Sequence, residues 1–342
     1  MKNKILITGG AGFIGVNSAD FFASNGWEVL VLDNLSRHGT DKNLSWLESK
    51  HSIIFDKSDI RDADLMSNIL RKHTPDVVLH LAAQVAVTSS VTNPRKDFEI
   101  NALGTLNLLE AIRLHSPNTF FINASTNKVY GKLEDVAIEE RDGRYEYEKL
   151  TTGVPESRYL DFHSPYGCSK GAADQYTIDY ARIYGLKTVT LRQSCIYGPH
   201  QFGVEDQGWV AWFTIAALLN KEITIYGDGK QIRDVLHVSD LVAAYLAAIN
   251  NSDSISGEAI NLGGGPDNTL SLLELLDYLE RSLDKKIKPL WDNWRPGDQP
   301  VFVCDLSKAK RLLNWSPKYS VEQGTVALID WVRLNSELFV AH

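Results

Sequence analysis

Residues 4–15 read KILITGGAGFIG, in which Gly9, Gly12 and Gly15 follow a short aliphatic run and lead into an apolar segment. The tight turn, the close approach of the backbone to a pyrophosphate and the packing of a helix on a strand each require a residue without a Cβ atom. The unpaired amides at the start of the following helix would face the anion. The stretch therefore predicts a strand, a dinucleotide-binding turn and a helix, although its spacing, G-x-x-G-x-x-G, differs from G-x-G-x-x-G.

An acidic residue supports the same ligand. Asp33 ends the second aliphatic run, WEVLVLD at 27–33, eighteen residues after Gly15. A carboxylate in this position can accept hydrogen bonds from the ribose hydroxyls of adenosine, and it would repel a 2'-phosphate. Arg37 and His38, in contrast, stand close enough in the sequence to attract such a phosphate. The balance predicts NAD rather than NADP as the cofactor.

Short aliphatic or β-branched runs alternate with longer amphipathic stretches over the first part of the chain. The runs occupy 4–8, 27–33, 52–56, 76–82, 119–125 and 187–192. Near-continuous apolar strands separated by helices are typical of a parallel sheet that is covered on both faces. We expect an α/β protein with a Rossmann-type doubly wound parallel sheet over 1–192. A smaller C-terminal α/β lobe over 193–342 would bind the substrate, and a segment near 232–252 would return to the first domain.

A polar insertion at 132–160 separates the fifth and sixth predicted strands. It is rich in charge and contains Gly143, Gly153 and Pro155, which favour turns. The sequence leaves two interpretations open, a surface excursion and a lid over the site.

Composition excludes several classes of partner. The chain has 35 basic and 43 acidic residues and a formal net charge of -8, without a long basic run, which argues against nucleic acid. It also has no segment of about eighteen or more apolar residues, so we expect no membrane partner. Cys168, Cys195 and Cys304 lie far apart and have no zinc-ligand spacing, so we expect no metal and a cytoplasmic, reducing location.

A tyrosine and a lysine stand four residues apart in DFHSPYGCSKGAADQY, residues 161–176. At the start of a helix, Tyr166 and Lys170 would be neighbours. A phenol loses its proton near pH 10, so a base that works near neutrality needs a pKa lower by about three units, or roughly 4 kcal/mol. An adjacent ammonium and a positively charged nicotinamide ring would both favour the phenolate. A hydroxyl from ASTNKVYG, residues 124–131, could hold a substrate oxygen beside it.

Motifs over almost the whole length resemble the extended short-chain dehydrogenase/reductase family of nucleotide-sugar epimerases and dehydratases. They are TGGAGFIG (8–15), DNLSRHG (33–39), SDIRD (58–62), LAAQ (81–84), NALGTLNLLEA (101–111), YGCSK (166–170), RDVLHVSD (233–240) and RPGD (295–298). The resemblance implies a catalytic trio of Thr126, Tyr166 and Lys170, with Ser125 as a second candidate for the hydroxyl.

The same resemblance implies the binding residues. For NAD they are Gly9, Gly12, Phe13, Ile14, Gly15, Asp33, Asn34, Arg37, Asp59, Ile60, Leu81, Ala82, Ala83, Gln84, Asn101, Tyr166 and Lys170. For a nucleotide-sugar substrate they are Asn127, His163, Cys168, Gln207, Arg233, Arg295 and Asp298. The two arginines would clamp the diphosphate, to which a planar guanidinium is suited, although surface ion pairs remain an alternative. Trp209 and Trp212 could pack a nucleobase or belong to the core.

The residues after Thr126 bear on the reaction. The family's 4,6-dehydratases carry Asp-Glu there, an acid and a base for eliminating water, whereas this chain has Asn127 and Lys128. Elimination is therefore disfavoured. Return of the hydride to the same carbon, which is epimerisation, is the simpler expectation.

Further stretches resemble a subgroup of the family that epimerises CDP-linked hexoses at C2. They are STNKVYG (125–131), YGPHQF (197–202), DQGWVAWF (206–213) and GDGKQIRDVLH (227–237). The resemblance implies a CDP-hexose substrate, NAD that stays bound, and a role in lipopolysaccharide O-antigen synthesis. It also implies a homodimer through helices near 101–114 and 167–184, or a homotetramer. A UDP-sugar 4-epimerase, a 4,6-dehydratase and an NAD-sensing protein without enzymatic activity remain alternatives.

Overall fold

The computed structural model describes residues 3–295 and 298–339. Its strands are β1 (Lys4–Thr8), β2 (Glu28–Leu32), β3 (Ile54–Asp56), β4 (Val77–His80), β5 (Phe120–Thr126), β6 (Ile138–Arg141), β7 (Arg144–Tyr147), β8 (Thr188–Gln193), β9 (Cys195–Tyr197), β10 (Thr224–Tyr226), β11 (Ile232–His237), β12 (Glu258–Leu262), β13 (Thr269–Ser271), β14 (Leu290–Asp292) and β15 (Val301–Phe302). Pro296 and Gly297, in the middle of the RPGD motif, lie outside the described residues.

The helices are α1 (Phe13–Ser24), α2 (Thr40–Lys50), α3 (Ala63–His73), α4 (Val87–Thr92), α5 (Pro94–Phe98), α6 (Gly104–His115), α7 (Pro165–Tyr184), α8 (Trp209–Leu219), α9 (Val238–Asn250), α10 (Leu272–Leu283), α11 (Ser307–Leu313) and α12 (Val321–Leu334). A π-helical turn occupies Glu99–Leu103, and 3-10 turns occupy Asn127–Tyr130 and Ser336–Phe339. Within residues 3–295 and 298–339, no helix has both the length and the apolar character that crossing a bilayer requires.

Seven strands form one parallel sheet in the order β3-β2-β1-β4-β5-β8-β12. β1 pairs with β2 on one side and with β4 on the other, so the strand order reverses at β1. In doubly wound folds, ligands bind outside the carboxyl ends of the strands at this switch point. The prediction of a Rossmann-type parallel sheet with a C-terminal α/β lobe is confirmed.

Both faces of this sheet are buried, which explains the near-continuous apolar runs of the sequence. On one face, Ile5 and Ile7 share a core with residues of α1, α2, α9 and α11. On the other face, Leu6 packs with residues of α3, α6 and α7. Because successive side chains of a strand point to opposite faces, an aliphatic run such as KILIT supplies both cores.

A smaller lobe contains the mixed sheet of β9, β11, β13 and β15, the parallel pair β10 and β14, and the helices α8, α10 and α12. Capping boxes fix the starts of two of these helices, Ser271 with Glu274 in α10 and Ser320 with Gln323 in α12. The apolar faces that follow bury Leu275 and Ile329 together with Phe213 of α8.

The C-terminal half of the chain also contributes to the first domain. β12 pairs with β8 and extends the parallel sheet by a strand that the sequence pattern did not predict. Leu241 and Tyr245 of α9 and Leu313 of α11 belong to the core on one face of that sheet. The division at residue 192, with a segment near 232–252 that returns to the first domain, stays a proposal, and these contacts add β12 and α11 to the segments that we would assign to the first domain.

The insertion at 132–160 contains the antiparallel hairpin of β6 and β7. This hairpin lies against the C-terminal lobe: the Tyr145 hydroxyl donates to Asp228 at 2.5 Å, and Arg144 donates to Glu274 at 2.9 Å. The Tyr147 hydroxyl donates to the carbonyl of Val301 at 3.0 Å. These contacts favour a surface excursion over a lid, since the hairpin of the insertion packs against the C-terminal lobe.

A buried ion pair connects α7 to the sheet. Asp174 is fully buried and accepts two hydrogen bonds from the Arg192 guanidinium, at 2.9 and 3.0 Å. Arg192 also donates to the Tyr130 hydroxyl at 3.1 Å, which in turn donates to Asn261 of β12 at 2.7 Å. Buried charges are stable only when they are paired and hydrogen-bonded in this way, so the network links α7, β8 and β12.

Candidate active site

Two cavities lie at the carboxyl edge of the large sheet. The first, about 250 Å³, is lined by the glycine turn and by residues that follow β2 and β4. The second, about 540 Å³, lies between the 3-10 turn after β5 and the C-terminal lobe. Val85, Tyr166 and Gln207 line both cavities. The predicted base therefore lies where the two cavities meet.

The turn between β1 and α1 has the geometry that a dinucleotide needs. Gly9 has a φ of +66°, and a Cβ atom there would lie 2.7 Å from the Ala82 nitrogen. A Cβ atom on Gly15 would lie 2.2 Å from the Gly9 carbonyl oxygen, so the start of α1 packs directly on the turn. Gly12 is the N-cap of α1, and no side chain caps the helix, so its first amides remain available to an anion. The turn fits the pyrophosphate of NAD.

Asp33 follows β2 and lines the first cavity. Its carboxylate accepts hydrogen bonds from the amides of Ala11, at 3.1 Å, and Leu35, at 2.8 Å, which fix its orientation. Burial raises the pKa of Asp33, while these amides and the nearby Arg37 oppose the rise. Each carboxylate oxygen keeps acceptor capacity for a ribose hydroxyl.

Most of the predicted cofactor residues line the first cavity. They are Gly9, Gly12, Phe13, Ile14, Gly15, Asp33, Asn34, Arg37, Asp59, Ile60, Leu81, Ala82, Ala83, Tyr166 and Lys170. Gln84 and Asn101 do not line it, and they bind each other. The backbone amide of Gln84 donates to Asn101 Oδ1 at 2.9 Å, and Asn101 Nδ2 donates to the backbone carbonyl of Gln84 at 3.0 Å. Their contact with NAD stays a prediction, and these hydrogen bonds give the two residues a role in supporting the cavity wall.

The start of α7 brings Tyr166 and Lys170 to the site. The Ser164 hydroxyl caps the helix by accepting a hydrogen bond from the Gly167 amide at 3.0 Å, and Pro165 occupies the first turn. Tyr166 and Lys170 then lie one turn apart. The Lys170 ammonium donates to the carbonyl of Ala124, in β5, at 2.5 Å. This contact holds Lys170 against the strand that ends in the predicted hydroxyl.

The geometry favours Thr126 over Ser125 as that hydroxyl. The Ser125 hydroxyl donates to the buried carboxylate of Asp174 at 2.7 Å, away from the substrate cavity. Thr126 lines the second cavity together with Tyr166, and its hydroxyl donates to Asn127 Oδ1 at 3.3 Å. Thr126 Oγ1 also accepts a hydrogen bond from the Lys128 amide at 3.2 Å, which orients it.

Burial acts on both titratable groups of the trio. Desolvation raises the pKa of Tyr166 to about 12, and the neighbouring Thr126 hydroxyl and the charge of Arg37 only partly oppose this rise. Desolvation also lowers the pKa of Lys170 to about 8. The protein residues alone therefore do not produce the expected lowering of the Tyr166 pKa, because the effect of desolvation is larger than that of the neighbouring charges. Positive charge placed beside Tyr166 would oppose this rise and favour the phenolate.

Five of the predicted substrate residues line the second cavity, namely Asn127, Gln207, Arg233, Arg295 and Asp298. The Arg233 guanidinium donates to Asp298. The Arg295 guanidinium lies 4.0 Å from the centre of the Tyr226 ring and donates to the Glu205 carbonyl at 3.0 Å. Both arginines therefore enter the cavity from the C-terminal lobe.

The structure does not bring His163 or Cys168 to either cavity. His163 lies 2.7 Å from the carboxylate of Asp161, with which it pairs outside the site. Cys168 is exposed, because a residue two positions after Tyr166 points away from the helix face that carries Tyr166 and Lys170. These positions do not support a substrate contact for the two residues, which stays a prediction. Trp209 and Trp212 both pack against the core of the lobe, and Trp209 also lines the second cavity.

Several lining residues were not predicted to bind. Lys128, Glu205 and Tyr226 line the second cavity. Lys128 could have been inferred, since it follows Asn127 directly. Glu205 and Tyr226 lie in segments whose sequence has no local pattern to show that their side chains would face the cavity. The Arg37 guanidinium also donates to Gln207, which connects the cofactor cavity to the loop before α8.

The parallel sheet, the glycine turn with its acidic partner and the cluster of hydroxyl, phenol and ammonium define an NAD-dependent enzyme of the short-chain dehydrogenase/reductase class. Residues 6–327 match the family described as GDP-mannose 4,6 dehydratase. The chain belongs to this family of extended, NAD-dependent epimerases and dehydratases of nucleotide sugars, as the sequence motifs indicate.

The chain is similar to members with different activities. It is 49% identical over 335 residues to CDP-paratose 2-epimerase of Salmonella typhi, covering 96% of this chain and 98% of that protein. UDP-glucose 4-epimerase of Thermotoga maritima, solved with UDP-glucose, has a TM-score of 0.83 at 34% identity and covers 97% and 99% of the two chains. dTDP-glucose 4,6-dehydratase of Streptomyces venezuelae, solved with NAD, has a TM-score of 0.82 at 28% identity and covers 98% of each chain.

NAD is the cofactor of this chain, as predicted. The glycine turn, the unpaired amides of α1 and the oriented carboxylate of Asp33 would hold its adenosine and pyrophosphate. Tyr166 and Lys170, which line the same cavity, would lie beside its nicotinamide end. When bound there, NAD supplies a hydride acceptor and donor and positive charge near Tyr166.

Replacing Asp33 by alanine is expected to weaken NAD binding about tenfold or more, since hydrogen bonds to a charged group contribute about 1.5 to 3 kcal/mol. NADP binding should change less or improve, because a negative charge near the 2'-phosphate is removed. Titration of both cofactors into the wild type and Asp33→Ala measures this. Asp41→Ala, an exposed acidic residue at the start of α2, is the control. An unchanged ratio of the two affinities would remove Asp33 from the ribose site.

Proposed function

We propose that the chain epimerises a CDP-linked hexose or deoxyhexose at C2, in a reaction of the CDP-paratose to CDP-tyvelose type. The observation that carries this proposal is the pair Asn127 and Lys128, which line the substrate cavity after Thr126. Elimination of water would need an acid and a base, and this pair cannot supply them as carboxyl groups. The 49% identity to CDP-paratose 2-epimerase of Salmonella typhi supports the choice of nucleotide and carbon.

The carboxyl groups that do line this cavity are engaged elsewhere. Asp298 pairs with Arg233, and Asp206 lies 3.2 Å from Arg295. Glu205 accepts a hydrogen bond from the Tyr226 hydroxyl at 2.9 Å. Each of these acids is tied to a cation or to a phenol of the C-terminal lobe, which disfavours a dehydratase reaction at Tyr166.

The proposed roles of the trio follow from their contacts. Oxidation of a secondary alcohol removes a hydride from carbon and a proton from oxygen. Thr126 would hold the C2 hydroxyl by a hydrogen bond, and Tyr166 would accept its proton. Lys170, fixed on the Ala124 carbonyl, would stabilise the phenolate. In the return step Tyr166 would give the proton back to the C2 oxygen, so that no net oxidation remains.

Inversion requires that the transient 2-keto sugar presents its opposite face before the hydride returns. The nucleotide part must stay bound during this rotation, or the intermediate would be lost. Arg233 and Arg295, which reach the cavity from two different segments of the lobe, are suited to clamp the diphosphate from both sides. The hexose would then rotate about the bonds that link it to a fixed diphosphate.

Substrate that carries deuterium at C2 is expected to give product that keeps the deuterium at C2 over many turnovers, because the hydride stays within the site. Mass spectrometry and proton NMR of the product measure this retention. The converse experiment uses unlabelled substrate in heavy water. Solvent deuterium at C2 in stoichiometric amount would show removal of a proton instead, and it would contradict the proposed role of NAD.

A UDP-sugar 4-epimerase is the second candidate, and the similarity to the Thermotoga maritima enzyme supports it. A panel of CDP-, UDP-, GDP- and dTDP-hexoses separates the two candidates by the nucleotide that is accepted and by the carbon that is inverted. Loss of water from the product would identify a dehydratase. Lack of turnover with every substrate, despite bound NAD, would favour a role in NAD sensing.

We further propose that two chains pair through α6 and α7. Leu114 of α6 and Ile183 and Tyr184 of α7 are apolar or aromatic and 51% to 62% exposed. Sedimentation velocity is expected to give twice the chain mass of 38.2 kDa, or four times in a tetramer. Ile183→Glu should shift the protein to smaller species. Val326→Glu, at an exposed site on α12, should not. A wild type that sediments at the mass of one chain would contradict the pairing.

The cytoplasmic location and the role in O-antigen synthesis stay proposals. The first rests on the three separated cysteines, which are free in the described residues. The second rests on the activity of the Salmonella typhi relative.

A further inference from the structure

Lys128 lies between Thr126 of the catalytic trio and Arg233 of the predicted diphosphate clamp. Its backbone amide donates to Thr126 Oγ1 at 3.2 Å, so the residue adjoins the trio. Its ammonium lies 3.9 Å from the Asp298 carboxylate and 3.4 Å from Gln299 Oε1. Asp298 also pairs with Arg233. The side chain of Lys128 therefore extends from the catalytic hydroxyl to the predicted diphosphate clamp.

The charges in this cluster do not balance. Lys128 and Arg233 carry two positive charges, and in the part of the chain that the structure describes Asp298 is the one carboxylate within ion-pair distance of either. Desolvation and the charge of Arg233 lower the pKa of Lys128 to about 8. A half-buried cation without a full counter-charge costs free energy, which an incoming anion would offset. The excess positive charge in this wall of the cavity would therefore favour the binding of an anion.

The chemistry of the substrate indicates which anion reaches this place. In a nucleotide sugar the second phosphate is attached to C1 of the hexose. C2 is bonded directly to C1, so a C2 hydroxyl and the sugar-bearing phosphate are on adjacent carbons. If C2 lies beside Thr126 and Tyr166, this phosphate must lie close to Thr126 as well. C4, in contrast, lies across the ring from C1, and a C4 reaction would separate the phosphate from the trio.

We propose that Lys128 binds the sugar-bearing phosphate of the substrate and thereby fixes C2, rather than C4, beside Tyr166. This assignment rests on the proposed function. Asp298 and Gln299 orient the ammonium, and Arg233 shares the charge of the diphosphate. The lysine at this position thus selects the reacting carbon by holding the phosphate next to the catalytic hydroxyl.

The test compares CDP, which has both phosphates, with CMP, which lacks the second. Calorimetric titrations use NAD-loaded wild type, Lys128→Met and Lys128→Arg. Lys128→Met is expected to weaken CDP binding about tenfold to a hundredfold, the range for a hydrogen bond to a charged group, and to leave CMP binding within about twofold. Lys128→Arg should recover most of the CDP affinity. Lys132→Met, at a half-buried lysine that pairs with Glu134 outside the cavities, is the matched control.

Equal losses for CDP and CMP in Lys128→Met, or unchanged CDP binding, would overturn the assignment. A loss confined to the CDP-hexose, with CDP unaffected, would place Lys128 on the sugar and overturn it too. If the wild type prefers uridine nucleotides, UDP and UMP replace CDP and CMP in the same comparison. A wrong nucleotide in the proposed function is thereby distinguished from a wrong role for Lys128. Melting temperatures of each variant exclude a folding defect as the cause.

Discussion

Tyr166→Phe is expected to abolish nearly all turnover, by about a hundredfold to ten-thousandfold, while NAD binding is retained. The change removes one oxygen atom from a residue that lines both cavities. General acid-base catalysis by a positioned side chain contributes about this factor. The remaining ring still fills the wall between the cavities, so the cofactor site keeps its shape. Turnover of a CDP-hexose under saturating NAD measures the loss, and calorimetry measures NAD affinity.

A matched control lies on the same helix. Tyr176 is on the exposed side of α7, and Tyr176→Phe should leave the rate unchanged. If Tyr166→Phe kept more than about a tenth of the wild-type rate, the phenol would contribute less than roughly 1.4 kcal/mol to the barrier, and Tyr166 would not be the base. Loss of NAD binding in parallel with turnover would indicate damage to the cavity instead.

Asp174→Asn is expected to lower the free energy of unfolding by about 3 to 5 kcal/mol, because it leaves the Arg192 charge buried without its partner. Asp174 is fully buried and Arg192 is 4% exposed, so water cannot replace the lost carboxylate. The hydrogen bonds from Ser125 and Thr190 to the same carboxylate are disturbed as well. Urea unfolding of the wild type and the variant, followed by circular dichroism, measures the difference.

The double variant Asp174→Leu with Arg192→Met separates charge from packing. Replacing both members of a buried pair by apolar residues is often neutral or stabilising, so this variant should be more stable than Asp174→Asn. Lys187→Met breaks the exposed ion pair with Asp253 and should change stability by less than about 1 kcal/mol. A loss below about 1 kcal/mol in Asp174→Asn would mean that Arg192 finds other acceptors.

Local patterns predicted the first domain because its signals lie within short stretches. The strand KILIT, the glycines that follow and Asp33 are close in sequence, and each has a simple steric or electrostatic reason. β12 was missed, since its five residues, EAINL, stand between glycine-rich turns and become a strand only by pairing with β8. Such pairing between distant segments leaves no local period in the sequence.

In the candidate site, too, local patterns predicted some residues, and contacts between distant segments decided the others. Tyr166 and Lys170 could be assigned because helical spacing places them on one face, and the same rule argues against Cys168 two residues on. His163 was predicted to contact the substrate because it lies near Tyr166 in the sequence, but the sequence did not indicate that its ring pairs with Asp161. The lowered pKa of Tyr166 was expected with a nicotinamide ring beside the phenol and stays a prediction; among the protein groups alone, burial, which depends on the whole fold, raises this pKa to about 12. Contacts such as Lys128 with Asp298 join segments far apart in the chain and require the tertiary structure.

The contacts of α9, β12 and α11 with the large parallel sheet have a consequence for protein engineering. A fragment that ends at residue 192 would leave β8 as a bare sheet edge and would uncover the apolar face that Leu241 and Tyr245 protect. Such a fragment is prone to aggregation. A chimera that exchanges substrate preference between relatives therefore cannot be made with one crossover point. It must graft the substrate-facing segments separately, while the strand and helices that complete the large sheet stay with their original partners.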